Sequence, residues 1–233
     1  MNTAMQLRLE ELMENPSPRL PICLVLDTSG SMAGAKIAEL NAAIAYFYNE
    51  IRQDEMASIT AEIATISFGM SVQKIRDFSG IERQQVPILS AGGMTPMGEA
   101  VTLALDTLEQ AKRVYKQMGT EYFQPWLVLM TDGEPTDSIS LAVQQCRELI
   151  QRKKLTVFPI AIGKDANLSI LSQFSQTVSA LRMEATDLKK FFRFLAMSTS
   201  SVSMSNAGDQ ATSSIGEANF KKFSVDWETA FKK

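Results

Sequence analysis

Two apolar runs that each end on an acid constrain this chain more than any other feature. Leu24-Val25-Leu26 leads into Asp27-Thr28-Ser29-Gly30-Ser31, and Trp126-Leu127-Val128-Leu129-Met130 leads through Thr131 into Asp132 and Gly133. Runs this short, with no polar alternation, are the pattern of strands buried on both faces of a parallel sheet. Around them lie stretches with apolar residues at helical spacing. Ile37, Leu40, Ile44, Phe47 and Ile51 mark one over 35–53, and Val101, Leu105, Leu108 and Ala111 another over 97–118. Further strands are expected at 58–68, 155–162 and 179–183, and further helices at 138–152, 168–176 and 187–197. Polar alternation at Gln73 and Lys74 marks 72–78 as an antiparallel edge strand reached by a tight turn at Gly69. The alternation predicts an α/β fold: a doubly wound, mostly parallel six-stranded sheet with one antiparallel edge strand and helices on both faces. In such sheets ligands gather outside the carboxyl ends of strands where the strand order reverses, which would bring Asp27 and Asp132 together.

The residues at those strand ends are hard oxygen donors. Asp27, Ser29 and Ser31 place one carboxylate and two hydroxyls within five residues, which suits a hard cation. The segment Gly92-Gly93-Met94-Thr95-Pro96 delivers another hydroxyl, and Pro96 suits the first turn of the helix that follows. With Asp132 the set has two carboxylates and three hydroxyls, close to the six oxygens of an octahedral Mg²⁺ site once waters are counted. The neutral hydroxyls leave the two acids to balance a dication, so the ion could still accept a carboxylate from elsewhere. Taken singly, Ser31 and Thr95 also fit ordinary helix caps. Asp137 is expected to cap the helix starting at Ser138 and Glu134 to stand on the rim, neither of them as a ligand.

These three segments, in this order, resemble the von Willebrand factor type A (vWA) family and its metal-ion-dependent adhesion site (MIDAS). Asp27, Ser29 and Ser31 match the family's Asp-x-Ser-x-Ser element, Thr95 its single threonine, and Asp132 its second aspartate before glycine. The similarity runs over residues 20–197. It implies a non-enzymatic protein-protein interaction module that holds an Asp or Glu of a partner through Mg²⁺, with Mn²⁺ or Ca²⁺ as other admissible ions. Arg19-Leu20-Pro21 and Met32-Ala33-Gly34 are most similar to the bacterial TerY-like branch, encoded with tellurite-resistance and stress operons. That narrower resemblance implies a stress-response or defence complex with a protein kinase or a PP2C-type phosphatase as partner.

Composition removes several other readings. The chain has no histidine, so Ser-His-Asp and Cys-His nucleophilic sites and His-ligated zinc are excluded. A net charge of −3 gives no reason to expect nucleic-acid binding, although an average charge leaves room for a local basic patch. Residues 1–20 lack the pattern of a secretion signal, and no apolar stretch approaches the roughly 20 residues needed to span a bilayer, so a cytoplasmic protein without membrane attachment is expected. Cys23 and Cys146 read as buried small hydrophobes rather than a disulfide. A phosphotransferase of the haloacid-dehalogenase type would need a second aspartate where Ser29 stands, and a P-loop would need a glycine before Lys36. Two alternatives stay open: a metal-assisted hydrolase using the same ion, and a structural subunit that assembles through its C-terminal tail.

The expected organisation is an N-terminal extension (1–19), the vWA domain (20–197), a Ser/Thr-rich linker (198–216) and an aromatic tail (217–233). Leu7, Leu9, Leu12 and Met13 give the extension the pattern of a short amphipathic helix, broken by Asn15-Pro16-Ser17-Pro18. Phe220, Phe223, Trp227 and Phe231 recur at helical spacing in the tail. That face folds back on the domain, docks on a partner or stays loose.

Overall fold

The structure is a computed structural model that describes residues 3–206 and 215–231. Its centre is β1 (Leu20–Asp27), whose eight residues are all buried. β1 pairs in parallel with β2 (Ala61–Phe68) on one side and with β4 (Trp126–Thr131) on the other. β3 (Val72–Arg76) runs antiparallel to β2 at one edge, while β5 (Thr156–Ile162) and β6 (Leu181–Met183) continue the parallel sheet beyond β4. The order is β3-β2-β1-β4-β5-β6, the six-stranded mixed sheet the sequence leads one to expect. The chain leaves β1 toward β2 and later returns to β1's other flank as β4, so the reversal of strand order lies between β1 and β4.

Alternate residues of the central strands feed two cores. Ile22, Leu24 and Leu26 join Val128 and Met130 beneath α2 (Ala35–Gln53), α7 (Leu188–Ser203) and α8 (Ile215–Phe231). Cys23, Val25, Leu127 and Leu129 face α4 (Met97–Met118), α5 (Ser140–Gln151) and Leu12 of α1 (Thr3–Glu14). Each fully buried aliphatic side chain contributes about 1.5–3 kcal/mol. This double coverage accounts for the lack of polar alternation in β1 and β4, and it holds their carboxyl ends in fixed register, Leu26 opposite Met130.

Several boundaries differ from the expectation for local reasons. The strand expected from Ser58 starts at Ala61, because Asp54 accepts a 2.8 Å hydrogen bond from the Ala57 N–H and caps a short helix, α3 (Glu55–Thr60). The helix expected over 168–176 closes as α6 (Leu168–Leu171), capped by Asn167. Helix α7 continues past 197 to Ser203, into the segment expected as linker. Its hydroxyls bond back one turn, Thr199 to the Leu195 carbonyl and Ser203 to the Thr199 carbonyl, each at 2.9 Å, so these polar side chains are satisfied where they are buried. Residues 207–214 of that linker lie outside the described residues.

Both terminal helices pack on the domain. The tail's α8 turns its aromatics inward, with Phe220 buried 5.2 Å from Phe158 and Phe223 stacked 4.6 Å from Phe194. The Trp227 Nε1–H donates to the Arg182 carbonyl at 3.0 Å. The Phe231 side chain lies outside the described set. At the amino ends of β1 and β2, Arg8 of α1 donates to the buried Glu62 at 2.9 Å and Tyr115 Oη donates to the same oxygen at 2.7 Å. Arg19 stands 3.6 Å from the other Glu62 oxygen and donates to the Ile59 and Asn15 carbonyls. Among the described residues no helix is long and apolar enough to cross a membrane.

Candidate metal centre

Three loops meet at the carboxyl ends of β1 and β4, tied together by backbone hydrogen bonds. The Thr28 N–H donates to the Phe68 carbonyl and the Gly92 N–H to the Thr28 carbonyl, both at 2.7 Å. The Gly30 N–H donates to the Gly93 carbonyl at 3.0 Å and the Met94 N–H to the Gly69 carbonyl at 3.2 Å. Met32, fully buried, anchors the single 3-10 turn that presents Ser29 and Ser31. Gly93 has φ of 85°, and a Cβ there would stand 2.4 Å from the Met70 backbone, so only glycine lets the loops close this tightly. Thr95 is fixed from the β4 side: its N–H donates to Thr136 Oγ1 at 3.1 Å, and its carbonyl accepts the Thr136 N–H at 2.9 Å.

The five residues expected as ligands come together here. Ser29 Oγ lies 3.0 Å from Ser31 Oγ, and Ser31 Oγ donates to Asp132 Oδ1 at 2.7 Å. A Cβ on Gly133 would stand 3.7 Å from Thr95 Oγ1 and 3.9 Å from Ser31 Oγ, so both hydroxyls face the Gly133 backbone that follows Asp132. Ligands about 2.0–2.1 Å from an octahedral Mg²⁺ have neighbours about 2.9 Å apart, a spacing that the hydrogen-bonded Ser29, Ser31 and Asp132 oxygens already have. Asp27, Ser29, Thr95 and Asp132 are buried while Ser31 is exposed, so the cluster is walled below and open above. Among the described residues no group of three or more Asp, Glu, Cys or His side chains could hold a metal. The donor set therefore depends on hydroxyls, which with two carboxylates suits Mg²⁺, Mn²⁺ or Ca²⁺ rather than a thiophilic ion. The free cysteines play no part: both are buried, and burial pushes the Cys146 thiol up to about 12 and that of Cys23 higher still.

Two unanticipated side chains complete the electrostatics. Asp27 Oδ1 accepts the Ser29 N–H at 2.7 Å, and Oδ2 accepts the Thr131 hydroxyl at 2.5 Å. Burial pushes the Asp27 carboxyl above the usual range; bonds from Thr131 and Ser29 pull it back, and the nearby Asp132 charge raises it further. Asp132 Oδ2 carries an ion pair with Lys36 Nζ at 2.6 Å. Thr131 follows directly from the strand pattern of β4, but nothing in the spacing of Lys36 pointed to Asp132. Asp137 corrects an expectation: its oxygens accept the Gly98 and Glu99 N–H groups at 3.0 and 2.8 Å, capping α4 and not the helix that follows it in sequence. That cap braces the helix immediately after Thr95. Glu134 is an exposed rim residue whose Oε1 accepts the Asn167 amide at 3.0 Å.

An open α/β sheet with an all-oxygen cluster at the reversal of its strand order defines a doubly wound domain with its ligand face at the carboxyl edge. The family model of the von Willebrand factor type A domain matches residues 22–194, and the chain belongs to that family. It is 22% identical over 160 residues to the human inter-alpha-trypsin inhibitor heavy chain H6, a match over 66% of this chain and 12% of that protein. It is 26% identical over 194 residues to the uncharacterized protein sll0103 of Synechocystis sp., over 81% of this chain and 44% of that one. The chain thus spans less than half the length of either relative. Among solved structures, proximal thread matrix protein 1 of the mussel byssus with a zinc-occupied MIDAS motif aligns with a TM-score of 0.55 at 14% identity, covering 78% of this chain and 48% of that one. The manganese-loaded TRAP protein of Plasmodium vivax aligns with a TM-score of 0.52 at 19% identity, covering 75% and 73%.

Proposed function

We propose that this chain is a non-enzymatic protein-protein interaction module that holds an Asp or Glu of a partner protein through Mg²⁺ at Asp27, Ser29, Ser31, Thr95 and Asp132. The observation that carries the reading is that the carboxyl ends of β1 and β4 bring the Ser29, Ser31 and Asp132 oxygens within 2.7–3.0 Å of their neighbours, with buried Asp27 and Thr95 on the adjoining loops and the exposed Ser31 on the solvent side. A bound dication supplies an electrophile that takes one more anionic oxygen. The protein's own groups hold charge and orientation: Thr131 and the Ser29 N–H fix Asp27, while Ser31 and Lys36 fix Asp132. Two family structures with metal, the zinc and manganese forms above, support the ion, and Mn²⁺ or Ca²⁺ could replace Mg²⁺ chemically.

The mouth also bears apolar surface. Met70 and Met94 are 88% and 65% exposed beside Gly92 and Gly93, and flexible thioethers of this kind suit an apolar residue flanking the partner's acid. The hydrolase alternative would need a general base: Thr131 is bonded to Asp27 and Lys36 to Asp132, which leaves the exposed rim acid Glu134, whose Oε1 accepts the Asn167 amide, as the group to test by Glu134→Gln. Assembly through the tail would have to free Phe220, Phe223 and Trp227 from α7 and β6. A bacterial stress-response or defence setting with a kinase or PP2C-type phosphatase partner rests on the TerY-like resemblance alone, and a cytoplasmic setting agrees with two free cysteines.

The test is co-purification of the tagged chain from its host with and without EDTA, beside an Asp27→Ala/Asp132→Ala variant. A partner retained by the wild-type protein in Mg²⁺ and lost on chelation and in the variant is the expected result. Equal retention in all three sinks the metal bridge.

A further inference from the structure

Lys36 stands where a cation is out of place. It is the second residue of α2, in the first helical turn, where the helix dipole disfavours positive charge. Its stem crosses above the end of β5, since a Cβ on Gly163 would stand 4.0 Å from Lys36 Cε. Its ammonium reaches Asp132 Oδ2 at 2.6 Å, while Asp132 Oδ1 is turned to Ser31. The Asp132 side chain is fully buried and that of Lys36 is 31% exposed, so the pair closes one side of the cluster and meets solvent only through the lysine. Asp132 is therefore split: one oxygen serves the hydroxyl cluster and the other is neutralised.

Charge counting gives that split a consequence. Asp27 and Asp132 alone would cancel a dication, so the centre would draw a further carboxylate through a vacant coordination place without the help of net charge. With Lys36 the protein's share is −1, and a loaded site keeps one positive charge. Glu134, the rim acid, is exposed, screened by water and held by Asn167, so it offsets this weakly. Building on the metal-bridge reading, we propose that Lys36 is a charge-tuning and positioning residue that weakens metal binding in exchange for stronger binding of a carboxylate by the loaded site. The two affinities should then move in opposite directions when its charge is removed, which a merely structural prop would not produce.

The experiment titrates Mn²⁺ into wild-type protein, Lys36→Met and Lys36→Arg by calorimetry. Acetate is then titrated into each Mn²⁺-loaded protein, following water-proton relaxation as the carboxylate replaces metal-bound water. Lys36→Met keeps the stem and drops the charge; it should bind Mn²⁺ about three- to tenfold tighter and acetate weaker by a similar factor, the scale of a partly exposed charge acting on a dication. Lys36→Arg keeps the charge and should stay within about twofold of wild type on both. Melting of each variant in EDTA verifies that it is folded. Unchanged or weaker Mn²⁺ binding by folded Lys36→Met overturns the proposal, as does tighter Mn²⁺ binding with acetate affinity unaltered. Absence of Mn²⁺ binding by the wild-type protein would instead refute the metal-bridge reading beneath it.

Discussion

Replacing Asp27 with asparagine should separate stability from metal binding and make them oppose each other. In the metal-free protein the buried carboxylate is a net burden, because burial outweighs the hydrogen bonds that favour its charge. An asparagine oxygen can keep the 2.7 Å bond from the Ser29 N–H. Its amide can donate to Thr131 Oγ1, whose own proton turns to the Gly133 carbonyl 3.5 Å away. The network closes after one hydroxyl rotation, so in EDTA Asp27→Asn should melt at or above the wild-type temperature. Acidification from neutral pH toward the raised Asp27 value should stabilise metal-free wild-type protein through this group, since its penalty is present at high pH and relieved as it protonates. The variant should lack that part of the pH profile. In Mg²⁺ the order reverses. At a concentration a hundred times the dissociation constant, the ion stabilises the folded state by about 2.7 kcal/mol. A chain of 233 residues has an unfolding entropy of about 0.5 kcal/mol/K, so the wild-type midpoint should rise by about 5 °C and that of Asp27→Asn should stay put. Scanning calorimetry of both proteins in EDTA and in Mg²⁺ reads all four values. A variant that melts several degrees low in EDTA, or one that keeps the Mg²⁺ shift, would refute the reasoning.

Other features predict separable outcomes. Phe220→Ala, which empties a ring site against Phe158 and Phe194, should lower stability by about 3–5 kcal/mol while leaving Mn²⁺ affinity unaltered, because α8 lies outside the three loops of the site; calorimetric melting and titration check the pair of values. Burial, and then the Glu62 charge, push the half-buried Glu11 carboxyl up. Glu11→Gln should therefore melt higher than wild type at pH 7, with the difference vanishing as the pH falls below the ordinary glutamate value; a gain that persists in acid would count against that origin. Met70→Ser/Met94→Ser should weaken the recovered partner about tenfold by surface plasmon resonance while Mn²⁺ affinity holds, each exposed thioether being worth about 0.7 kcal/mol in contact.

How much of this was legible in the chain depends on the range of the interaction. Strand and helix identities follow from spacing over a few residues, so β1, β4, α2 and α4 could be placed, and the two acids fell at strand ends because apolar runs stop where burial stops. The donor types of Asp27, Ser29, Ser31, Thr95 and Asp132 were readable for the same reason. Short caps cut the other way: Asp54 turned 55–60 into helix against its isoleucine, and back-bonded hydroxyls let α7 run through a segment that by composition reads as linker.

The tertiary structure alone decided which partner each polar group took. Thr131 meets Asp27 across 104 residues and Ser31 meets Asp132 across 101, because β1 and β4 become neighbours only when the sheet order reverses between them. Lys36 on Asp132, Asp137 on the start of α4 and the tail's aromatics against α7 arise the same way. Each is a contact between elements that only the packed sheet brings to one place, and residue spacing along the chain carries no record of it.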